Sequence, residues 1–220
     1  MSLPVVIIGN GGHASVVCSA IRATGRTVIA ATDIVAGRQG RIPSDIRVIS
    51  DEQLLEEYGS SEIELALGVG SIWPNVPSSP WQRITSRFES RGFRFATIIH
   101  PFAWVSPDSK IGHGCQIHAG AIVQSGVTLG RFTVLNTRSS VDHDCNVEAY
   151  CHLSPGATLS GDIILGEGCH LGTGCAVVQG VELGQGCFVA AGATVVSTQP
   201  DYQYLKGTPA RPFSPSIQRT

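Results

Sequence analysis

The stretch VDHDCNVEAYCHL, residues 141–153, gathers two histidines, two cysteines, two aspartates and a glutamate. Two chemistries draw on such a set. An imidazole titrates near neutrality and can exchange a proton with a substrate, so a catalytic centre around His143, with Asp142 and Asp144 beside it, is one reading. Imidazoles and thiolates are also the common ligands of zinc. The sequence on either side decides which reading the stretch supports.

Cut into sixes from Val105, the chain reads VSPDSK, IGHGCQ, IHAGAI, VQSGVT, LGRFTV, LNTRSS, VDHDCN, VEAYCH, LSPGAT, LSGDII, LGEGCH, LGTGCA, VVQGVE, LGQGCF, VAAGAT, VVSTQP. Every first position is Val, Ile or Leu. A six-residue period of this kind predicts a parallel β-helix, with three hexads to a triangular coil of 18 residues, from about 105 to 200 and without an extruded loop. Six cysteines (115, 145, 151, 169, 175 and 187) share the fifth hexad place, which elsewhere holds mostly Ala, Ser, Thr or Val. A free thiol is a small hydrophobe that suits a tight corner. The cysteines therefore read as scaffold, their spacing follows the coil and not a CxxC pattern, and no metal is expected. His143, in a third place, lies outside the core pattern and is free to face a cleft. Gly161 follows it by one coil; with no side chain it lets a ligand approach, and its N–H is a candidate oxyanion donor.

Upstream of the repeat the pattern changes. VVIIGNGGHASVVCSAIRATG reads as a buried strand, a glycine turn and an amphipathic helix. TVIAATD is a second strand ending at Asp33, Ser50 and Gln53 form a capping box, and ELALGVG is a third strand. SSPWQRITSRFESRG reads as a helix and FRFATIIHP as a strand. The alternation predicts a small Rossmann-like parallel α/β domain over 1–100, then the β-helix with a C-terminal tail over 101–220. GNGGH (9–13) is an incomplete dinucleotide fingerprint, since Ala14 stands at the sixth place. Strand ends at Gly9–His13, Asp33 and Gly68–Ser71 converge on one edge, where ligands of such sheets bind. Tight packing at strand–helix turns is the alternative.

With 42% hydrophobic and 15% charged residues the chain is globular, and its formal charge of −2 without a basic cluster argues against nucleic acid. No apolar run reaches membrane-spanning length, the N-terminus does not read as a signal peptide, and the reduced cytoplasm is the expected location.

GNGGH, Asp33, IIHP at 98–101, NTRSSVDHDC at 136–145, HLSPGA at 152–157 and KGTPAR at 206–211 together resemble the PglD/NeuD sugar acyltransferases over nearly the whole chain. The resemblance implies a left-handed β-helix and acetyl-CoA-dependent transfer to the amine of a nucleotide-linked 4-amino-4,6-dideoxy sugar for glycan or surface polysaccharide synthesis. It also implies a homotrimer with acetyl-CoA between neighbouring prisms. It assigns His143 as base and Asp144 as the acid that raises its basicity. His152, Thr173 and Ala191 fall at acetyl-CoA, and Gly11, Gly12, His13, Asp33 and Gly68 at the sugar nucleotide. The chain departs from relatives in having one acid at the end of the second strand and a segment, WPNVPSSPW (73–81), that reads as an insertion. Three other readings stay open: an O-acetyltransferase of sialic acid or a related sugar, a non-catalytic β-helix assembly module, and a γ-carbonic-anhydrase-type zinc enzyme using His113 and His118. One objection attaches to Asp144. Neighbours on an extended strand face opposite ways, so Asp144, like Asp142, orients His143 only if the chain turns there.

Overall fold

The computed structural model describes residues 2–70 and 79–213, which divide between Pro101 and Phe102 into two compact units. In the first unit a four-stranded parallel sheet is built from β1 (Val5–Ile8), β2 (Val28–Thr32), β3 (Arg47–Ile49) and β4 (Glu64–Leu67), in the order β3-β2-β1-β4. Val5 to Ile8 are all buried, as expected of a parallel strand covered on both faces. α1 (Gly12–Ala23) starts directly from the glycine turn and buries Ala14, Val17, Cys18 and Ile21 against the sheet. α2 (Asp51–Glu57) opens on the expected Ser50–Gln53 capping box. α3 (Pro80–Glu89) opens on a second one, Ser79 with Gln82, and has proline in its first turn.

Two features of this unit differ from the sequence expectation. The sheet has a fourth strand, β3, whose three residues are too few to show a period. FRFATIIHP is not a continuous strand: it contributes an isolated bridge, Phe95 to Leu65, and β5 (Ile98–Ile99). Ser71 and the first six residues of the segment at 73–81 lie outside the described residues.

The second unit is the β-helix. Sixteen two-residue strands follow one another every six residues, from β6 (Trp104–Val105) to β21 (Thr194–Val195). The second residue of each is the first-position Val, Ile or Leu, and from Ile117 to Val195 all of them are buried in one core. Pairing is parallel at a constant step of 18 residues, as in Thr128 with Asn146, or His152 with His170. The strands fall into three faces. One runs from Trp104–Val105 through Ser140–Val141 to Thr194–Val195, the next from Lys110–Ile111 to Glu182–Leu183, and the third holds Gln116–Ile117, His152–Leu153, His170–Leu171 and Phe188–Val189. The 18-residue step ends near the C-terminus, where β22 (Tyr204–Lys206) pairs with Phe188–Val189 sixteen residues back and then with β23 (Arg211–Pro212) in antiparallel fashion.

The corners explain the other hexad positions. From Gly114 to Gly192 the fourth position takes a positive φ, from +57° to +73°; it is glycine at most of these hexads and Phe132, Arg138, Asp144, Tyr150 or Asp162 at the rest. The fifth-position thiols fill the corners as expected and also donate: Cys115, Cys145, Cys151 and Cys169 each reach the carbonyl fifteen residues on, at 3.0–3.2 Å. All seven cysteines are buried and unpaired. No helix among the described residues is long and apolar enough to cross a membrane.

Candidate active site

His143 and Asp144 occupy the third and fourth places of their hexad, at the corner between the Trp104 face and the Lys110 face. Asp144 has φ +59°, so the chain turns there, and the objection from strand alternation does not apply. Its carboxylate lies 3.0 Å from Nδ1 of His143, an adjacent-residue pair that an extended strand could not make. Asp142 plays a different part: its Oδ1 accepts the His143 backbone N–H at 3.3 Å. The imidazole is 53% exposed and Asp144 70%. The hydrogen bond that the Asp144 carboxylate accepts from the ring raises the His143 pKa above its ordinary value, and the charges of Asp144, Asp142 and Asp162 add to the effect. Nδ1 is engaged, which leaves Nε2 as the nitrogen to exchange a proton with a substrate.

Two glycines make room for this pair. One coil on, Gly161 faces the His143 ring so closely that a Cβ there would overlap its Nε2, and Cε1 would lie 2.5 Å away. One coil back, a Cβ on Gly126 would meet Oδ1 of Asp144. The Gly161 N–H donates to no group among the described residues.

The residues assigned to acetyl-CoA lie elsewhere on the prism. Thr173 and Ala191, one coil apart and both exposed, run along the corner between the His152 face and the Trp104 face. At the fourth-position glycines beside them, Gly174 and Gly192, nothing lies within 4 Å of where a Cβ would stand, although the Thr208 hydroxyl donates to the Gly192 carbonyl at 3.3 Å. His152 is only 8% exposed on its face. One chain therefore does not bring His143 together with Thr173, Ala191 and His152; the width of the Trp104 face separates them.

In the first unit a cleft of about 480 Å³ opens at the carboxyl ends of β1, β2 and β4, lined by residues that include Gly9, Asn10, Asp33, Arg38 and Val69. Gly11 caps α1 without a side-chain hydrogen bond, and Gly11 and Gly12 have open space where a side chain would stand. A ligand can thus approach the first-turn N–H groups of α1. Asp33 accepts the Val35 N–H at 3.1 Å and lies 4.0 Å from Arg38. Gly68 serves packing: a Cβ on it would strike Ile7 and touch Ala14. His13 packs beside Gly70.

His113 is exposed whereas His118 is buried, at 1% exposure, so they face different ways. Among the described residues no three His, Cys, Asp or Glu side chains converge on one point.

Residues 4–74 match the PglD N-terminal domain, and residues 96–131 match the six-repeat bacterial transferase hexapeptide. The acetyltransferase domain of PglB from Neisseria gonorrhoeae FA1090, solved with acetyl coenzyme A, is 33% identical; the match covers 97% of this chain and 100% of that one, with a TM-score of 0.87. The chain belongs to the PglD-type hexapeptide acetyltransferases. PerB from Caulobacter crescentus, solved with CoA and GDP-perosamine, is 34% identical over 96% of this chain and 97% of its own, with a TM-score of 0.86. GDP-perosamine N-acetyltransferase of Escherichia coli O157:H7 is 31% identical over 84 residues, which is 38% of this chain and 38% of that protein.

In this PglD-type chain the cleft also uses residues that the sequence motifs do not single out. Asn10 is buried; its amide donates to the Arg38 carbonyl at 2.8 Å, and its backbone carbonyl accepts from Arg41 at 2.9 Å. Asn10 thereby pins the loop after Asp33 across the glycine turn and holds Arg38 at the cleft. Thr32 braces the same turn by accepting from the Gly9 N–H at 3.3 Å. The available signal is the asparagine inside GNGGH, whose side chain readily bonds to backbone.

Proposed function

We propose that this protein is an acetyl-CoA-dependent N-acetyltransferase that acetylates the amine of a nucleotide-linked amino-dideoxy sugar in the cytoplasm. The unit over 1–100 holds the sugar nucleotide, and the unit over 101–220 carries the chemistry. The observation that carries this reading is the His143–Asp144 pair seated against Gly161 on the outside of the prism. The sugar amine attacks the thioester carbonyl while Nε2 of His143 takes its proton. Asp144 holds the other nitrogen and stabilises the imidazolium that forms. The Gly161 N–H is the oxyanion donor for the tetrahedral intermediate. Collapse expels the CoA sulfur, which takes the proton back from His143, leaving the sugar amide and free CoA.

Acetyl-CoA lies along the corner of Thr173 and Ala191, against the edge of His152. That corner and the His143 corner of one chain stand a prism face apart, so His143 is paired with the donor corner of a neighbour in a homotrimer. The exposed Trp104, Ile122, Val178 and Val196 on or beside the intervening face support such packing. In the other unit the glycine turn, with α1 behind it, meets the diphosphate, and Asp33 and Arg38 face the nucleoside.

The test is incubation with acetyl-CoA and a panel of UDP-, GDP- and dTDP-linked amino sugars, following free CoA and the mass of the sugar product. One acetyl group gained per CoA released, as an alkali-stable amide, is expected from a protein sedimenting as three chains. His143→Asn should lower kcat by about 10²–10⁴-fold with both KM values nearly unchanged. Ester product, or a His143→Asn enzyme with a third of the wild-type rate, contradicts the assignment.

A further inference from the structure

The element HLSPGA (152–157) contains three residues before its turn, and the reaction above uses only His152. Ser154 is 6% exposed, and its hydroxyl lies 3.3 Å from Nε2 of His170 in the next coil. His170 is also 6% exposed, and its Nδ1 has no hydrogen-bond partner among the described residues. Leaving a buried nitrogen unmatched destabilises a fold. The same column holds Val134 two coils back and Phe188 one coil on, so an apolar side chain fits there without that penalty. Packing alone does not account for a histidine at 170.

The rings around it suggest what does. His170 stacks nearly flat on Phe188, with centroids 5.2 Å apart and planes at 13°. His152, one coil to the other side, stands at 83° to His170 with centroids 4.9 Å apart. The two neighbours cover opposite faces, so the edge of His152 meets a ring face of His170, the favourable polarity for an edge-to-face pair if His170 is uncharged. Burial pushes the His170 pKa down to about 4, which keeps it neutral at physiological pH. Ser154 fixes the rotation of the His170 ring, and that ring fixes the tilt of His152.

We propose that Ser154 and His170 form a buried hydrogen-bonded pair that holds the His152 imidazole in place for acetyl-CoA, which makes His170 a positioning residue for the acyl donor. This rests on the assignment of His152 to the donor site. His170→Phe keeps the ring and the stack but loses the bond to Ser154; Ser154→Ala removes the other partner; both leave the inward-facing core of the prism unchanged. Each should raise KM for acetyl-CoA about three- to tenfold, the worth of one hydrogen bond, with kcat and the sugar-nucleotide KM within about twofold of wild type. The double variant should be no worse than either single one, because both substitutions break the same bond. An acetyl-CoA KM that stays at the wild-type value in both variants overturns the proposal, as does an equal rise in both KM values or full additivity. His152→Ala run alongside separates the two levels. If it too leaves the acetyl-CoA KM unchanged, the donor-site assignment fails; if it raises KM while His170→Phe does not, only the positioning role fails.

Discussion

Gly161→Ala is the most informative single change in the β-helix. The backbone at Gly161 is not in the positive-φ region, so alanine is conformationally acceptable there. What it cannot accept is the position of His143, because the added methyl would overlap the imidazole. The ring is 53% exposed and has solvent to swing into, so the clash is relieved by moving His143 and not by opening the core. An off-rotamer side chain costs about 0.5–1.5 kcal/mol, and Gly→Ala at a compatible site returns about 0.4–1 kcal/mol through the unfolded chain. The net change in stability is thus within about 1 kcal/mol, or roughly 2–4 °C in Tm for a chain of this size. Catalysis fares differently: swinging the ring away breaks the 3.0 Å contact with Asp144 and takes Nε2 from its place. The rate should fall by about 10²-fold or more, approaching that of His143→Asn. The Gly161 N–H survives the substitution, so this loss measures the displaced base and not a missing oxyanion donor. Free-thiol release from acetyl-CoA gives kcat, and a thermal melt on the same sample gives Tm. A kcat within about threefold of wild type would show that the seat under Gly161 is irrelevant to the reaction. A Tm loss above roughly 8 °C would show that the ring is locked in place, contrary to its exposure.

Asp144→Asn keeps a residue that tolerates the positive φ and removes the carboxylate that contributes most to raising the His143 pKa. The base must be unprotonated, so the acidic limb of kcat/KM should move to lower pH; an unmoved limb would show that another group titrates there. Cys151→Ala removes a buried thiol and its 3.2 Å bond to the Gly166 carbonyl. It should cost about 1–2 kcal/mol in denaturant unfolding and leave kcat intact. His170 makes stability depend on pH: its folded pKa, about 4, lies below the unfolded value, so its contribution is complete above about pH 6.5 and is lost as pH falls toward 4. The loss is about 3 kcal/mol. The melting temperature of His170→Phe should fall less steeply over that window than that of wild type, and parallel curves would refute the burial of a neutral imidazole.

The β-helix is legible in the sequence because its signal is strictly periodic. A first position that is always Val, Ile or Leu fixes which residue of each strand points inward, and the structure keeps that register from Trp104 to Val195. The turn at Asp144 is harder to read, because strand alternation holds only where the backbone is extended. Its signal is the fourth hexad place, glycine in IGHGCQ, IHAGAI and VQSGVT, which marks a left-handed position that Asp144 inherits. The fifth-position thiols are recognisable as fillers, but their bonds to carbonyls of the next coil depend on corner geometry that composition does not carry. In the first unit, β3 is too short to show a repeat, and the grip of Asn10 on the 38–42 loop joins residues about thirty positions apart, beyond the reach of a local pattern.

The same periodicity bears on how many chains make one active centre. Adding 18 keeps a residue on its corner, and adding six moves it to the next. His143 and Gly161 differ by 18 and share a corner; Thr173 and Ala191 differ by 18 and share another. From Gly161 to Thr173 is 12, two corners along the chain, so no rotation of a side chain brings the two sets together across a rigid prism face. A monomer with these assignments would hold its base and its acyl donor apart. The proposed packing of a second prism against the Trp104 face would remove the conflict, because the donor corner of one chain would then approach the base corner of the next. Mixing His143→Asn chains with chains altered at Thr173 should therefore restore part of the activity that each lacks alone, since some interfaces in the mixed assembly carry both intact sets. Mixtures no more active than their parents would mean that base and donor belong to one chain, and that either Thr173 or the trimer has been wrongly assigned.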